Sequence, residues 1–392
     1  MKKNLIALAV AAAIIAPVSA IAADNSNANT GPVVFGYAQI TGSQQFGTNG
    51  PEGLVFGAHR IRLGFKGEAV PGVSYFFQYK WDGAWQSTPL NNTLGIGAIP
   101  GSSSGVQDAY INFAFIPEVQ LQVGKFRVPV GLERTQYSGN NLLFIQRSMN
   151  QSLGANRSAG VMFHSPDLMN TGVYYSLGIF DNHSLDGNDA FNSGNVALPV
   201  GAGQTAVGGV LTNGSGQYLF GGMLGYKMGP LLNVELSGAR AAAAKYTALP
   251  ASKEIDSWNV GANGGLMGLK YMAEYSAVTS YQGIEGANAQ DWYVALAANL
   301  HQMTLTPDWL DVEPAVRYES FRYRYGAFNS TLGNTTIGVN YYVNPNNPYA
   351  ARVQLNYVIP NGGGAWRAIG TNSPASNGYL YNTLALQFQA GF

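Results

Sequence analysis

Apolar and polar residues alternate along most of this chain. In VSYFFQYKWD, Val73, Tyr75, Phe77, Tyr79 and Trp81 share one side, and Ser74, Gln78, Lys80 and Asp82 share the other. In AHRIRLGFKGE, Ile61, Leu63 and Phe65 oppose Arg60, Arg62, Lys66 and Glu68. The closing NTLALQFQAGF sets Leu384, Leu386, Phe388, Ala390 and Phe392 against Thr383, Gln387 and Gln389. A period of two over such stretches marks strands with different environments on their two faces. The pattern predicts strands at 32–41, 54–68, 72–82, 106–116, 118–126, 158–164, 171–180, 217–228, 231–240, 255–263, 266–278, 291–301, 310–325, 332–343, 350–359 and 380–392. That is about sixteen, an even number such as single-chain bacterial barrels have.

The connections between these strands alternate long and short. The stretches 42–53, 83–105, 127–157, 181–216 and 241–254 are long, whereas Val70-Pro71-Gly72, Pro117, Gly229-Pro230 and Gly264-Gly265 are tight. The stretches 279–290 and 360–379 continue the long class, and 326–331 is its weakest member. A barrel in an outer membrane separates short periplasmic turns from long external loops in this way. The fold class predicted is therefore all-β: a transmembrane antiparallel barrel whose apolar parity meets lipid. The last strand pairs with the first, so no backbone group is left open in hydrocarbon. Tyr37, Tyr75, Trp81, Tyr226, Tyr275, Trp292 and Tyr357 have the parity to form aromatic belts, with Phe392 at the periplasmic interface. One stretch breaks the rule: in VEPAVRYESFRYRY the apolar parity switches near Glu319-Ser320. Either a bulge lies there, or the strand runs beyond the membrane, which its length favours.

The N-terminus sets the compartment. Lys2 and Lys3 precede the run LIALAVAAAIIAPVSA, which ends in small residues. This is a secretory leader, with cleavage expected after Ala22 and the barrel domain spanning 23–392. Integral placement in the outer membrane of a Gram-negative bacterium follows.

Composition removes several functions. The chain of 392 residues has no cysteine, which excludes thiol catalysis and thiolate metal sites. Charged residues make up only 11%, with 21 basic and 21 acidic. Loss of Lys2 and Lys3 leaves 19 against 21, so nothing points to a nucleic-acid partner. No two of His59, His164, His183 and His301 stand at metal-ligand spacing, and the sequence has no HExxH motif. No enzymatic chemistry, metal or cofactor is expected.

The segment KFRVPVGLERTQYSGNNLLFIQRSMNQSLGANR differs from the rest. It holds Lys125, Arg127, Arg134, Arg147 and Arg157 against one acid, Glu133. Its Leu142, Leu143, Phe144 and Ile145 are too apolar for a loop in solvent. The combination predicts a third long loop folded into the lumen, its apolar side on the wall and its arginines in the passage. An external loop with solvated arginines is the alternative. A sixteen-stranded barrel encloses an aqueous channel. With a Debye length of ~8 Å, a few uncompensated cations raise the local anion concentration. Arg127, Arg134 and Arg147 are the expected constriction, with Lys125, Glu133 and Arg157 around it; Arg60, Arg62, Lys66 and Lys80 line the wall. Glu68, Asp82, Glu235 and Glu274 make the selectivity graded.

The same segment resembles the phosphate-selective porin O and P family. The matching residues are Gly124, Lys125, Phe126, Arg127, Pro129, Gly131, Leu132 and Glu133, then Phe144, Ile145 and Arg147. Phe392 looks like the terminal signal read by the barrel-assembly machinery. The resemblance implies a sixteen-stranded trimeric channel, narrowed by its third loop, for passive uptake of phosphate-like anions. Those specific channels look richer in basic residues, so a general or weakly anion-selective porin is equally implied. A structural or adhesive barrel without conductance, and a soluble secreted β-protein, are the readings from other classes.

Overall fold

The computed structural model describes residues 31–47, 53–81, 104–181, 198–201, 204–206, 218–242, 254–307, 309–368, 375 and 377–392. The leader, its expected boundary after Ala22, and Asp82 lie outside these residues. The strands are β1 (Val33–Phe46), β2 (Val55–Val70), β3 (Val73–Lys80), β4 (Gly105–Phe113), β5 (Gln120–Arg127), β6 (Arg157–Ser165), β7 (Val173–Asp181), β8 (Leu198–Gly201), β9 (Gln204–Ala206), β10 (Tyr218–Met228), β11 (Leu232–Ala241), β12 (Ile255–Leu266), β13 (Leu269–Thr279), β14 (Asn288–Ala298), β15 (Asp311–Tyr325), β16 (Phe328–Tyr342), β17 (Ala351–Gly362) and β18 (Asn382–Gly391). All but β8 and β9, which pair only with each other, form one closed antiparallel barrel of sixteen strands. Every strand predicted from the alternation is present.

Closure comes from β18 against β1, in register from Tyr37↔Gly391 to Phe46↔Asn382. Gly36 and Phe392 exchange backbone hydrogen bonds of 3.0 and 2.9 Å. The C-terminal strand therefore has a partner on both sides.

The barrel is inside out relative to a soluble domain. On β18, Leu384, Leu386 and Phe388 are 37, 36 and 54% exposed, while Thr383, Gln387 and Gln389 are 1, 1 and 5% exposed. The same holds on β11, where Val234 and Leu236 face outward and Asn233, Glu235 and Ser237 are buried. An apolar exterior around a polar interior is stable only with lipid outside.

Four local features depart from the pattern. Tyr37 lies on the inner parity with Gln39: a Cβ on Gly139, whose carbonyl accepts from Gln39, would stand 2.5 Å from the Tyr37 hydroxyl. It is not a belt residue, because VVFGYAQI is apolar on both parities and alternation carries no face there. A bulge in β2 pairs Gln39 with Arg60 and Ile40 with Ala58, leaving His59 extra. As a result His59 and Arg60 both reach inner-face side chains, Gln387 and Gln39. Strand β15 has no bulge: its pairing with β14 and β16 runs without a shift. Its Phe321 and Tyr323 are buried on the inner side, around Tyr281 and Trp366. Finally, the long–short rhythm inverts late in the chain. The connection 299–310 is longer than 280–287, and 326–327 is shorter than 343–350. Gly326, with φ of 53°, closes Tyr325 onto Phe328 in a two-residue turn.

Candidate functional site

Between β5 and β6 the chain leaves the wall at Val128 and returns at Asn156, a neck closed by the Val128 N–H on the Asn156 carbonyl. Within it lie helix α1 (Leu132–Gln136) and a 3-10 turn, Met149–Leu153. This segment is bonded to the inner face along much of the ring. On β11 and β12, Ser237 accepts from the Gly131 N–H at 3.0 Å and Ser257 donates to the Leu153 carbonyl at 2.6 Å. On β13 and β15, Glu274 accepts from the Glu133 N–H and Glu319 from the Met149 N–H. Arg317 donates to the Gln146 carbonyl at 3.1 Å. On β16 and β17, Asn340 reaches the Leu143 carbonyl, Arg352 the Leu142 carbonyl, and Asn356 accepts from the Ile145 N–H. Gln389 of β18 and Gln39 of β1 hold the carbonyls of Asn140 and Gly139. The polar parity of these strands thus satisfies backbone groups that an irregular segment cannot satisfy itself.

The apolar residues of the segment fit glycines in the wall. A Cβ on Gly261 would meet Leu132 at 2.7 Å, and one on Gly338 would meet the Phe144 ring at 3.2 Å. The Arg317 guanidinium sits 4.9 Å from the Phe144 ring centre. Val128, Val130, Met149 and Leu153 are fully buried in a cluster with Phe126, Phe180 and Leu219.

Arg127 donates to the carbonyls of Arg134 and Tyr137. Arg134 donates to the carbonyls of Ala155 and Gln151 and to Asn156 Oδ1. Arg147 donates to the carbonyls of Glu133 and Tyr137. Glu133 accepts from the N–H and hydroxyl of Ser148, both at 2.9 Å. These three arginines therefore pin the segment to itself rather than simply projecting into a passage. Carbonyls do not neutralise a guanidinium, so the charge remains. Burial, and then Arg147 and Arg157 nearby, push Arg134 down to about 9. Burial likewise lowers Arg147. Arg157 pairs with Asp108, its Nε 2.9 Å from both carboxylate oxygens. Lys125 is 2% exposed, in register between Ala109 and Ala159.

On the wall, Arg60 donates to Gln39 at 2.8 Å and to the Ile145 carbonyl. Arg62 is buried and stands opposite Lys80 in register. Lys66 is exposed, opposite Phe76. Arg317, Arg352, Asp291, Glu313 and Glu319 also lie buried in the barrel and carry no motif that marks them in the sequence. Glu235, Asp291, Glu313 and Glu319 are all 0% exposed, and Glu274 is buried. Glu319 pairs with Arg317 at 3.0 Å, and Lys270 pairs with Glu313. Parity was a usable signal for these, since Glu313, Arg317 and Glu319 share the inner side of β15.

A closed sixteen-stranded barrel, apolar outside and polar inside, with a long segment tied to its inner face, defines an outer-membrane channel barrel of the porin class. The sequence profile of the phosphate-selective porin O and P family matches residues 37–361, and the chain belongs to that family. Among solved structures, it is similar to OmpF of Salmonella typhi in complex with daunomycin, at 13% identity and TM-score 0.59, covering 92% of this chain and 97% of that one. An anion-selective porin from Comamonas acidovorans is 12% identical with TM-score 0.59, covering 92% and 99%. The trimer form of OmpT from Vibrio cholerae is 9% identical with TM-score 0.54, covering 92% and 99%. These likenesses establish the fold. None of the curated proteins compared matches the chain.

Proposed function

We propose that this barrel is a passive, anion-preferring channel for small solutes, phosphate-like anions among them, in the outer membrane of a Gram-negative bacterium. The observation that carries the proposal is the unequal exposure of lumenal charge. The inner-face acids Glu235, Glu274, Asp291, Glu313 and Glu319 are buried on β11, β13, β14 and β15, with Glu235 hydrogen-bonded by Thr135 and Gln136 of the 128–156 segment and Glu274 by Tyr293. The wall of β2 and β3 carries Arg60, Arg62, Lys66 and Lys80; Arg60 donates to the Ile145 carbonyl of that segment, and Lys66 is open. On this reading the passage runs along β2–β4, narrowed by the segment, and its solutes meet cations first. Glu68 is exposed too, but it accepts from the Gly72 N–H at the β2–β3 turn. Assembly as a homotrimer, and recognition by the barrel-assembly machinery through Phe392, belong to the same proposal.

A general, weakly anion-preferring porin is the second reading. It is favoured because Arg127, Arg134 and Arg147 already donate to carbonyls, which leaves fewer N–H groups to wrap a phosphate. Titrating phosphate against chloride current in a planar bilayer separates the two. Saturable block at low phosphate supports a specific site; an unchanged chloride current supports the general channel. Loss of anion preference in Lys66→Gln/Lys80→Gln is expected on both, and an unaltered preference there contradicts both.

A further inference from the structure

Most of the inner wall among the described residues is polar, is covered by the 128–156 segment, or is buried under Tyr281 and Trp366. One aromatic strip is only half-buried. Phe35 on β1, Phe76 on β3 and Tyr110 on β4 lie on the inner parity, in the rows of Gly64, Lys66 and Asn112. Their rings form a continuous run: Phe35 to Phe76 at 5.0 Å and 36°, Phe76 to Tyr110 at 5.3 Å and 10°. The run continues to Phe126 at 5.9 Å and Phe180 at 5.5 Å. Those last two are 3% and 1% exposed beneath the root of the segment, whereas the first three are only half-buried. Space for the lower end is built in: a Cβ on Gly64 would stand 2.6 Å from the Phe35 ring. A cation completes the strip. Lys66 is directly opposite Phe76 in the β2–β3 register, and its Nζ lies 5.9 Å from the Phe35 ring centre.

Half-exposed aromatic rings in a wet lumen leave part of their surface without a protein partner. They do offer ring faces and edges to a planar partner, in offset-stacked or edge-to-face geometry. The adjacent ammonium adds a point charge for an anionic group. We propose that Phe35, Phe76, Tyr110 and Lys66 form a binding strip for planar aromatic carboxylates. The ligand's ring meets Phe76 and Tyr110 while its carboxylate meets Lys66. The strip rests on the proposed passage along β2–β4. A neutral aromatic keeps the ring contact and loses the charge; an aliphatic acid keeps the charge and loses the ring contact. Each half is weak, as suits a site that must release what it binds.

The test uses the full mature protein and three probes: benzoate, cyclohexanecarboxylate and benzyl alcohol. In planar bilayers, benzoate is expected to reduce chloride current at a half-saturating concentration at least about threefold below that of either other probe. Phe76→Leu/Tyr110→Leu should erase the advantage over cyclohexanecarboxylate, and Lys66→Gln the advantage over benzyl alcohol. Heat-modifiable gel migration confirms that each variant has folded. Saturation-transfer NMR on detergent-solubilised protein reads binding without conductance. Equal responses to benzoate and cyclohexanecarboxylate in both measurements overturn the strip while leaving the channel standing. A barrel that passes no ions but transfers saturation to benzoate alone keeps the strip and overturns the channel.

Discussion

Arg147 shows how one side chain serves both structure and field. Its guanidinium holds the carbonyls of Glu133 and Tyr137, and its charge persists after those bonds are made. The two roles separate by substitution. Arg147→Lys keeps the charge and loses the planar fork, so anion preference should hold while residues 128–156 become easier to cleave by protease. Arg147→Gln should lose both, with each charged hydrogen bond worth about 1.5–3 kcal/mol. Equal protease resistance in wild type and both variants contradicts the pinning role. A second residue-scale prediction concerns Glu319, which pairs with Arg317 and accepts the Met149 N–H. Glu319→Gln removes the carboxylate paired with the buried Arg317 cation, and breaking such a pair costs about 3–5 kcal/mol. The temperature of heat-modifiable unfolding should fall clearly, and Arg317→Met/Glu319→Met should recover most of it. The sequence made the cations of the segment legible but not their hydrogen bonds. For Arg127, Arg134 and Arg147 the acceptors are mainly carbonyls that come together only when the segment folds, and no spacing encodes that.

The strands were legible because lipid and lumen impose a period of two. Where both parities are apolar, as in VVFGYAQI, the signal vanishes, and the outward expectation for Tyr37 fails: a Cβ on Gly139 would meet both its hydroxyl and Arg60. The β2 bulge was silent too, because His59 and Arg60 are both polar and either parity accepts them. The alternation predicts six residues for the turn at Gly326, which has two, since Phe328 and Leu332 bury against the inner cluster instead of continuing the outer stripe. The face assignment itself is testable on β18. Leu386, near its middle, points outward, and Leu386→Arg should cost about 2–4 kcal/mol. Folding into lipid vesicles, followed by urea titration, measures this; an unchanged midpoint contradicts the outward placement.

At the scale of the whole molecule, the balance of 21 basic and 21 acidic residues conceals a separation in space. Buried acids line β11–β15, and β2–β3 carry the cations nearest the proposed passage. Composition could not reveal this, because it depends on which strands the 128–156 segment covers. The apolar residues of that segment predict its place at the lumen, where Leu132 and Phe144 pack on the wall glycines Gly261 and Gly338 and its polar groups are bonded to β11–β13, β15–β18, β1 and β2. Deleting 132–153 should then enlarge single-channel conductance and weaken anion preference, because the acids become open to solvent. A deletion variant with unchanged conductance and selectivity contradicts the proposed passage.

Reversal potential across a planar bilayer under a tenfold gradient of potassium chloride tests the central claim most directly. The account predicts a potential whose sign reports chloride as the more permeant ion, smaller in Lys66→Gln/Lys80→Gln. A potential of the opposite sign, reporting potassium as the more permeant ion, contradicts it.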